Sequence, residues 1–476
     1  MNTDASWPGL DEARARVLEI QTKLHQWATD DPDRRFDDLY NLVADPAFLV
    51  VAWDRVRGNR GGRSAGVDGV APRSIIFGQE ALLAGLRADL KDRQFQPLAV
   101  RERIIPKPGS SKGRRLGIPT ARDRVAQAAL KLVLEPIFEA DFQPCSYGFR
   151  PKRRAQDAIT EIHFYTTRSY EWVLEGDITA CFDEIDHTAL MGRVRDRIGD
   201  KRVLKLVKAF LKAGVLSEDG MMRNSDTGTP QGGILSPLLA NIALSVLDDH
   251  FVKAWASFGK GSTRRYRASK GMATYRLVRY ADDFVVLVSG TRADAERLQA
   301  DIAEVLRPMG LRLSETKTLI AHIDEGFDFL GFRIQRQRQQ GSNKRFVYTW
   351  PSKKALASVK AKVKALTTGA TNQPLSVTLR RVNSVLRGWT NYFRHGASKA
   401  TFRYLHQFTW RRVIRWLRRK HPRASWKHLR RLHLPGWWPT DGDVVLFDAG
   451  SVAITRYRYR GTKIPTPWTP AETKVA

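Results

Sequence analysis

Cysteine is nearly absent from this chain: its 476 residues include two, Cys145 and Cys181. Two thiols build neither a disulfide framework nor a four-thiolate zinc site, and they suit a reducing compartment. Long apolar runs are missing as well, since no stretch approaches the roughly 20 residues needed to cross a bilayer. The opening MNTDASWPGLDEARARV carries acids where a secretory leader has a basic head and an apolar core, so the expected location is the cytoplasm, with no membrane partner. The third scarcity is of negative charge. Pro351 to Thr440 contains no acid, and residues 351–476 hold 26 Lys and Arg against four acids, which is +22 of the chain's net +31. A charge run is ordinarily a solvated face, but ninety residues without an acid exceed that and point to a nucleic-acid surface.

What is present falls into stretches of different character. Residues 1–90 read as a helical N-terminal extension, with EARARVLEIQTKLHQWA and EALLAGLRADLKDR at helical spacing around the Gly-rich GNRGGRSAGVDG. Strands and helices mix over residues 91–340, the pattern of an α+β sheet backed by helices. Basic helices follow over residues 345–425. There Leu379, Val382, Leu386, Trp389 and Phe393 step along one face as core, with arginines elsewhere. Residues 426–476 read as a small basic extension suited to DNA, in which the alternating RYRYR, on a strand, would give one cationic and one aromatic face.

The segment LVRYADDFVVLVSG sets two adjacent carboxylates, Asp282 and Asp283, between apolar runs that read as a hairpin. Like charges at a tight turn repel unless a cation lies between them and a third acid, and hard Mg²⁺ suits carboxylate oxygens together with substrate phosphates. Asp177 is the candidate third acid, because the strand-like Trp172 to Gly176 leads straight into it. Two such ions roughly 4 Å apart can activate a 3′-hydroxyl and stabilise a leaving pyrophosphate oxygen.

The chain resembles the reverse transcriptases encoded by bacterial group II introns, also called intron maturases. Nine blocks carry the resemblance in order: IIPKP, RRLGIPTARDRVAQ, SYGFRP, DITACFDEIDH, GTPQGGILSPLLAN, RYADDF, LSETKT, FLGFRI and GWTNYFR. It implies a right-hand polymerase with fingers and palm over 91–340, a thumb or maturase X domain over 345–425, and an RNA-dependent DNA polymerase activity using two Mg²⁺ ions. Asp177, Asp282 and Asp283 match the catalytic carboxylates, with Ile178 beside them in the metal site, and Lys317 matches a lysine able to protonate pyrophosphate. Lys107 and Arg114 match residues that clamp the dNTP triphosphate, Phe182 the ring that excludes a ribose 2′-hydroxyl, and Gln231 a residue bordering the incoming nucleotide. Arg394, Arg411, Arg412, Arg415, Arg418 and Arg419 become candidates for gripping group II intron RNA in a ribonucleoprotein that assists splicing, meets target DNA and a primer 3′ end, and copies the intron into DNA.

Plainer readings stand beside these. Adjacent aspartates suit an ordinary turn, Phe182 suits core packing, Gln231 a turn, and Arg115 competes with Arg114. Asp183 and Asp186 read as helix-start acids. Many family members end in an endonuclease with zinc-binding cysteine pairs, and no cysteine follows Cys181, which leaves second-strand cleavage unsupported and an existing 3′ end as the expected primer. A polymerase recruited to defence or a CRISPR system, and a splicing-only RNA chaperone, are the alternative functions.

Overall fold

The computed structural model describes residues 7–106, 113–223, 227–339, 341–369 and 371–469. Among these, no helix is long and apolar enough to cross a membrane. The chain forms two compact units: residues 1–154, 174–320 and 461–476 make the first, and residues 155–173 and 321–460 the second.

The first unit is built around the helix Ala121–Asp141, on which Val125, Ala129, Leu130, Leu132, Val133, Leu134 and Ile137 are wholly buried. Each of these Val, Leu and Ile side chains contributes about 1.5–3 kcal/mol on leaving water. The helices Leu10–Asp30 and Pro46–Gly58 pack against it. Pro46 begins its helix because Asp45 caps it, its carboxylate accepting from the Ala47 N–H at 2.8 Å. The last described segment of the unit returns to the first helix, where the Trp468 indole N–H donates to Gln21 Oε1 (3.3 Å) and its ring lies 5.5 Å from that of His25.

Two four-stranded sheets have most of their residues in this unit. One runs Gly113–Ile118, Val100–Pro106, Val215–Leu216, Met222–Arg223. The other runs Thr274–Tyr280, Asp283–Ser289, Trp172–Gly176, Leu319–His322. Phe284 to Val288 are all buried, as a strand covered on both faces requires. Behind this sheet lies Ser236–Ser257, itself packed on Arg292–Leu306, a helix opened by a capping box between Thr291 and Asp294.

In the second unit the helix Ala155–Thr166 lies against an antiparallel sheet ordered Arg345–Pro351, Phe332–Arg338, Phe327–Phe329, with a His163 ring nitrogen 3.0 Å from the Val347 carbonyl. The helices Lys353–Thr368, Leu375–Phe393 and Lys399–Lys420 form a bundle around Val359, Val363, Leu379, Val382, Leu386, Leu405 and Leu417, with Trp389 packed at its margin. The Arg and Tyr alternation expected to lie on a strand does not. Residues 452–460 have no regular structure, and among the described residues no strand pairs with them; Tyr459 instead stacks on Phe164 at 4.4 Å and Arg460 pairs with Asp157 at 2.8 Å.

Candidate active site

Tyr280 pairs with Asp283 across the hairpin, which leaves Ala281 and Asp282 as a two-residue loop. Ala281 has a φ of +60°, the left-handed region that glycine usually supplies at this turn position. Strain of this kind persists only where neighbours over-determine it. Here the neighbour is Arg279, whose wholly buried guanidinium donates to the Ala281 carbonyl (2.9 Å), Ser146 Oγ (2.8 Å), Asn241 Oδ1 (3.1 Å) and both oxygens of Asp248. Asn241 in turn donates to the Gly148 carbonyl at 2.9 Å. Gly148 must be glycine, because a Cβ there would lie 2.2 Å from the Ala281 nitrogen.

Asp177 follows the strand beside this hairpin. Its predecessor Gly176 makes room for the Phe284 ring, which a Cβ would meet at 2.1 Å. The Asp177 carbonyl accepts from the Ser314 N–H (2.8 Å), and Ile178 bridges to Leu313. These ties to the segment 312–314 bring Lys317 round, so that its Nζ lies 2.5 Å from Asp177 Oδ2.

The electrostatics show how crowded the acids are. Asp283 is open to solvent at its edge, but the protein walls around it strip hydration, and this, with the charges of Asp282 and Asp177, pushes its carboxyl up to about 6 against the pull of Lys317 and Arg114. The Cys181 thiol is pushed up to about 12, first by burial and then by Asp282, so it is an inert buried group. Among the described residues no three His, Cys, Asp or Glu side chains close into a metal cage. The set is open and consists only of oxygen donors, and the Lys317 ammonium already sits on one of them. That chemistry fits a hard divalent cation that shares its coordination with substrate phosphates.

The other expected residues surround this centre unevenly. Phe182 is half-buried on the short helix Cys181–Glu184, its ring edge-on to Phe149 at 6.3 Å. Gln231 lies in a turn docked on Gly117, whose N–H donates to the Gln231 carbonyl at 2.7 Å. Arg114 is exposed and its charge reaches Asp283, whereas Arg115 faces Glu102 at 3.7 Å. Lys107 lies outside the described residues. Asp186 caps His187–Arg197 by accepting from the Ala189 N–H at 2.8 Å.

In the second unit the basic helix divides its arginines. Arg411, Arg415 and Arg418 are exposed, with Arg418 5.1 Å over the Trp426 ring. Arg412 and Arg419 are engaged at the carboxyl end of Lys353–Thr368: Arg412 donates to the Thr367 and Thr368 hydroxyls (3.1 and 2.7 Å), and Arg419 to the carbonyls of Thr368 and Thr367 (3.0 and 2.6 Å). Cations belong at that end of a helix dipole. Arg394 is half-buried beside Thr455, whose N–H donates to its carbonyl at 3.0 Å.

Sequence reasoning missed Arg279, Asp248, Gly148 and Gly176 as parts of the site. The one available signal was an arginine placed directly before the Tyr-Ala-Asp-Asp turn.

Residues 105–334 match the family model for reverse transcriptase (RNA-dependent DNA polymerase), and residues 356–433 that for the group II intron maturase-specific domain. Protein YkfC of Escherichia coli is 37% identical over 358 residues, covering 71% of this chain and 93% of that one. The group II intron-encoded protein LtrA of Lactococcus lactis is 33% identical over 376 residues, covering 69% of this chain and 61% of that one. This chain therefore spans less than two thirds of the Lactococcus protein. A solved telomerase from Candida albicans, in complex with a fragment of telomeric RNA, covers 71% of this chain and 62% of that one at 14% identity and a TM-score of 0.39, too low to inform the fold.

Proposed function

We infer the reaction from a premise now in hand: the chain belongs to the reverse transcriptases and maturases encoded by group II introns, and so to the RNA-directed DNA polymerases. We propose that it extends a primer 3′ end along an RNA template by in-line attack of the 3′-hydroxyl on the α-phosphate of a dNTP. Residues 91–340 act as fingers and palm, 345–425 as thumb and maturase domain, 1–90 as N-terminal extension and 426–476 as a basic DNA-binding extension. Asp177, Asp282 and Asp283, with Ile178 beside them, would hold two Mg²⁺ ions, whose charge activates the hydroxyl and stabilises the departing oxygen. Lys317 donates a proton to the pyrophosphate, Arg114 and Lys107 hold the triphosphate, Gln231 borders the nucleotide, and Phe182 blocks a 2′-hydroxyl. Such catalysis is largely positioning plus charge stabilisation.

The observation that carries this reading is the strained, buttressed turn that holds Asp282 and Asp283 beside Asp177. The exposed Arg411, Arg415 and Arg418, with the half-buried Arg394, support an intron RNA contact; Arg412 and Arg419 would contribute through groups left over from their helix-end bonds. With group II intron RNA the protein would form a cytoplasmic ribonucleoprotein that assists splicing and copies the intron into target DNA. The test is cDNA synthesis on an RNA template with a DNA primer, dNTPs and Mg²⁺, beside Asp282→Asn. Synthesis that the substitution abolishes, with RNA binding retained, is the expected result; RNA binding without synthesis by either protein favours a splicing-only chaperone.

A further inference from the structure

Away from the carboxylates, the first unit contains a cavity of about 100 Å³ lined by Tyr40, Asp45, Arg87, Lys91, Arg93 and Arg202, among others. A water molecule needs only about 10–15 Å³ by such a measure, so a tetrahedral oxyanion fits. Four of these residues are cations. Arg87 and Lys91 lie one turn apart on the helix Gln79–Lys91, Arg93 follows it, and Arg202 comes from Lys201–Leu211.

The decisive feature is Arg87. Its Nε and Nη2 are buried and have no hydrogen-bond partner. Arg87 as a whole is half-buried, and its guanidinium, which stays charged where a lysine could lose its proton, turns these two unbonded N–H groups inward; an oxyanion would satisfy both. The acid in the wall is already occupied: Asp45 accepts from Arg16 (2.8 Å) and from the Ala47 N–H (2.8 Å). Tyr40 donates its hydroxyl to the Leu90 carbonyl (2.9 Å) and feels the charges of Arg202 and Arg93. Arg202 shares itself with Asp200 and Asp38, each at 3.3 Å.

We propose that this cavity binds a phosphate group, presented by the backbone of a bound polynucleotide, with Arg87 as its principal donor. The polynucleotide source rests on the function proposed above; the phosphate chemistry rests on the cavity alone. Both are tested with the full-length protein. Melting is compared in sodium phosphate and in sodium chloride at equal ionic strength, for wild type and Arg87→Gln, and RNA affinity is measured against salt for both. Phosphate should raise the melting temperature of wild type by more than that of the variant, whose smaller rise is the general stabilisation that an excluded anion gives any folded protein. The variant's plot of log affinity against log salt should be shallower by about 0.7, the effect of one lost contact to a single strand. A smaller phosphate rise in the variant with an unchanged salt slope assigns the cavity to free phosphate and overturns the backbone source. Identical behaviour of the two proteins in both arms overturns the site. Should Arg87→Gln fail to fold, Arg93→Gln, an exposed member of the same wall, takes its place. Failure of wild type to bind RNA would strike the polymerase and maturase reading and leave the phosphate arm intact.

Discussion

Arg279 Nε lies 2.7 Å from Asp248 Oδ1 and Arg279 Nη2 lies 2.5 Å from Asp248 Oδ2, with both side chains wholly buried. Removing one partner of such a pair strands the other's charge and costs about 3–5 kcal/mol. Asp248→Asn should therefore lower the denaturant midpoint strongly. The double variant Arg279→Met, Asp248→Leu should recover part of that stability, yet remain poor in primer extension, because the Ala281 carbonyl has lost its donor. Full recovery of extension would show that the pair does not position the turn.

Gly176→Ala drives a methyl into the Phe284 ring, and overpacking of this kind costs about 1–3 kcal/mol. The strand carrying Phe284 begins at Asp283, so primer extension should fall with stability. Adding Phe284→Leu should restore both. Loss of activity that the second change leaves untouched would mean that strand spacing is not the cause.

Phe182→Ala should raise incorporation of ribonucleotides relative to deoxynucleotides by roughly 10–100-fold, the range in which a pocket senses one small group. Competition between each rNTP and its dNTP on one template reads this directly. Unchanged sugar preference would assign the ring to packing against Phe149.

Asp123 is 2% exposed, and burial pushes its carboxyl up to about 6 despite bonds from the Thr120 hydroxyl (2.7 Å) and the Leu98 N–H (3.3 Å). Between its ordinary value and about 6 the folded state binds the proton more tightly than the unfolded chain does. The stability this confers is present at the acid end and lost as pH rises through about 6. Relative to Asp123→Asn, the wild type should lose on the order of 2–3 kcal/mol from pH 4 to 7. Parallel denaturant midpoints over that window would contradict the assignment.

The hairpin and Asp177 were legible because charge interrupting an apolar strand is a local signal. So was the Leu379, Val382, Leu386 stripe, since helical period needs no partner to be read. Arg279 was not, because its acid sits 31 residues earlier on another element, and a pair at that distance leaves no local pattern. Arg412 and Arg419 looked like any outward arginine, as only the neighbouring helix end tells them apart from Arg411 and Arg415. The Arg and Tyr alternation failed because period two becomes a strand only where another strand lies alongside.

The bond from Trp468 to Gln21 also bears on synthesis. The two residues are 447 positions apart, which at about 5–20 residues per second is roughly 20–90 s of translation. For that interval the face of Leu10–Asp30 bearing Gln21 and His25 is outside the ribosome without its indole cover, so a helix made long before Trp468 is sealed only when Trp468 arrives.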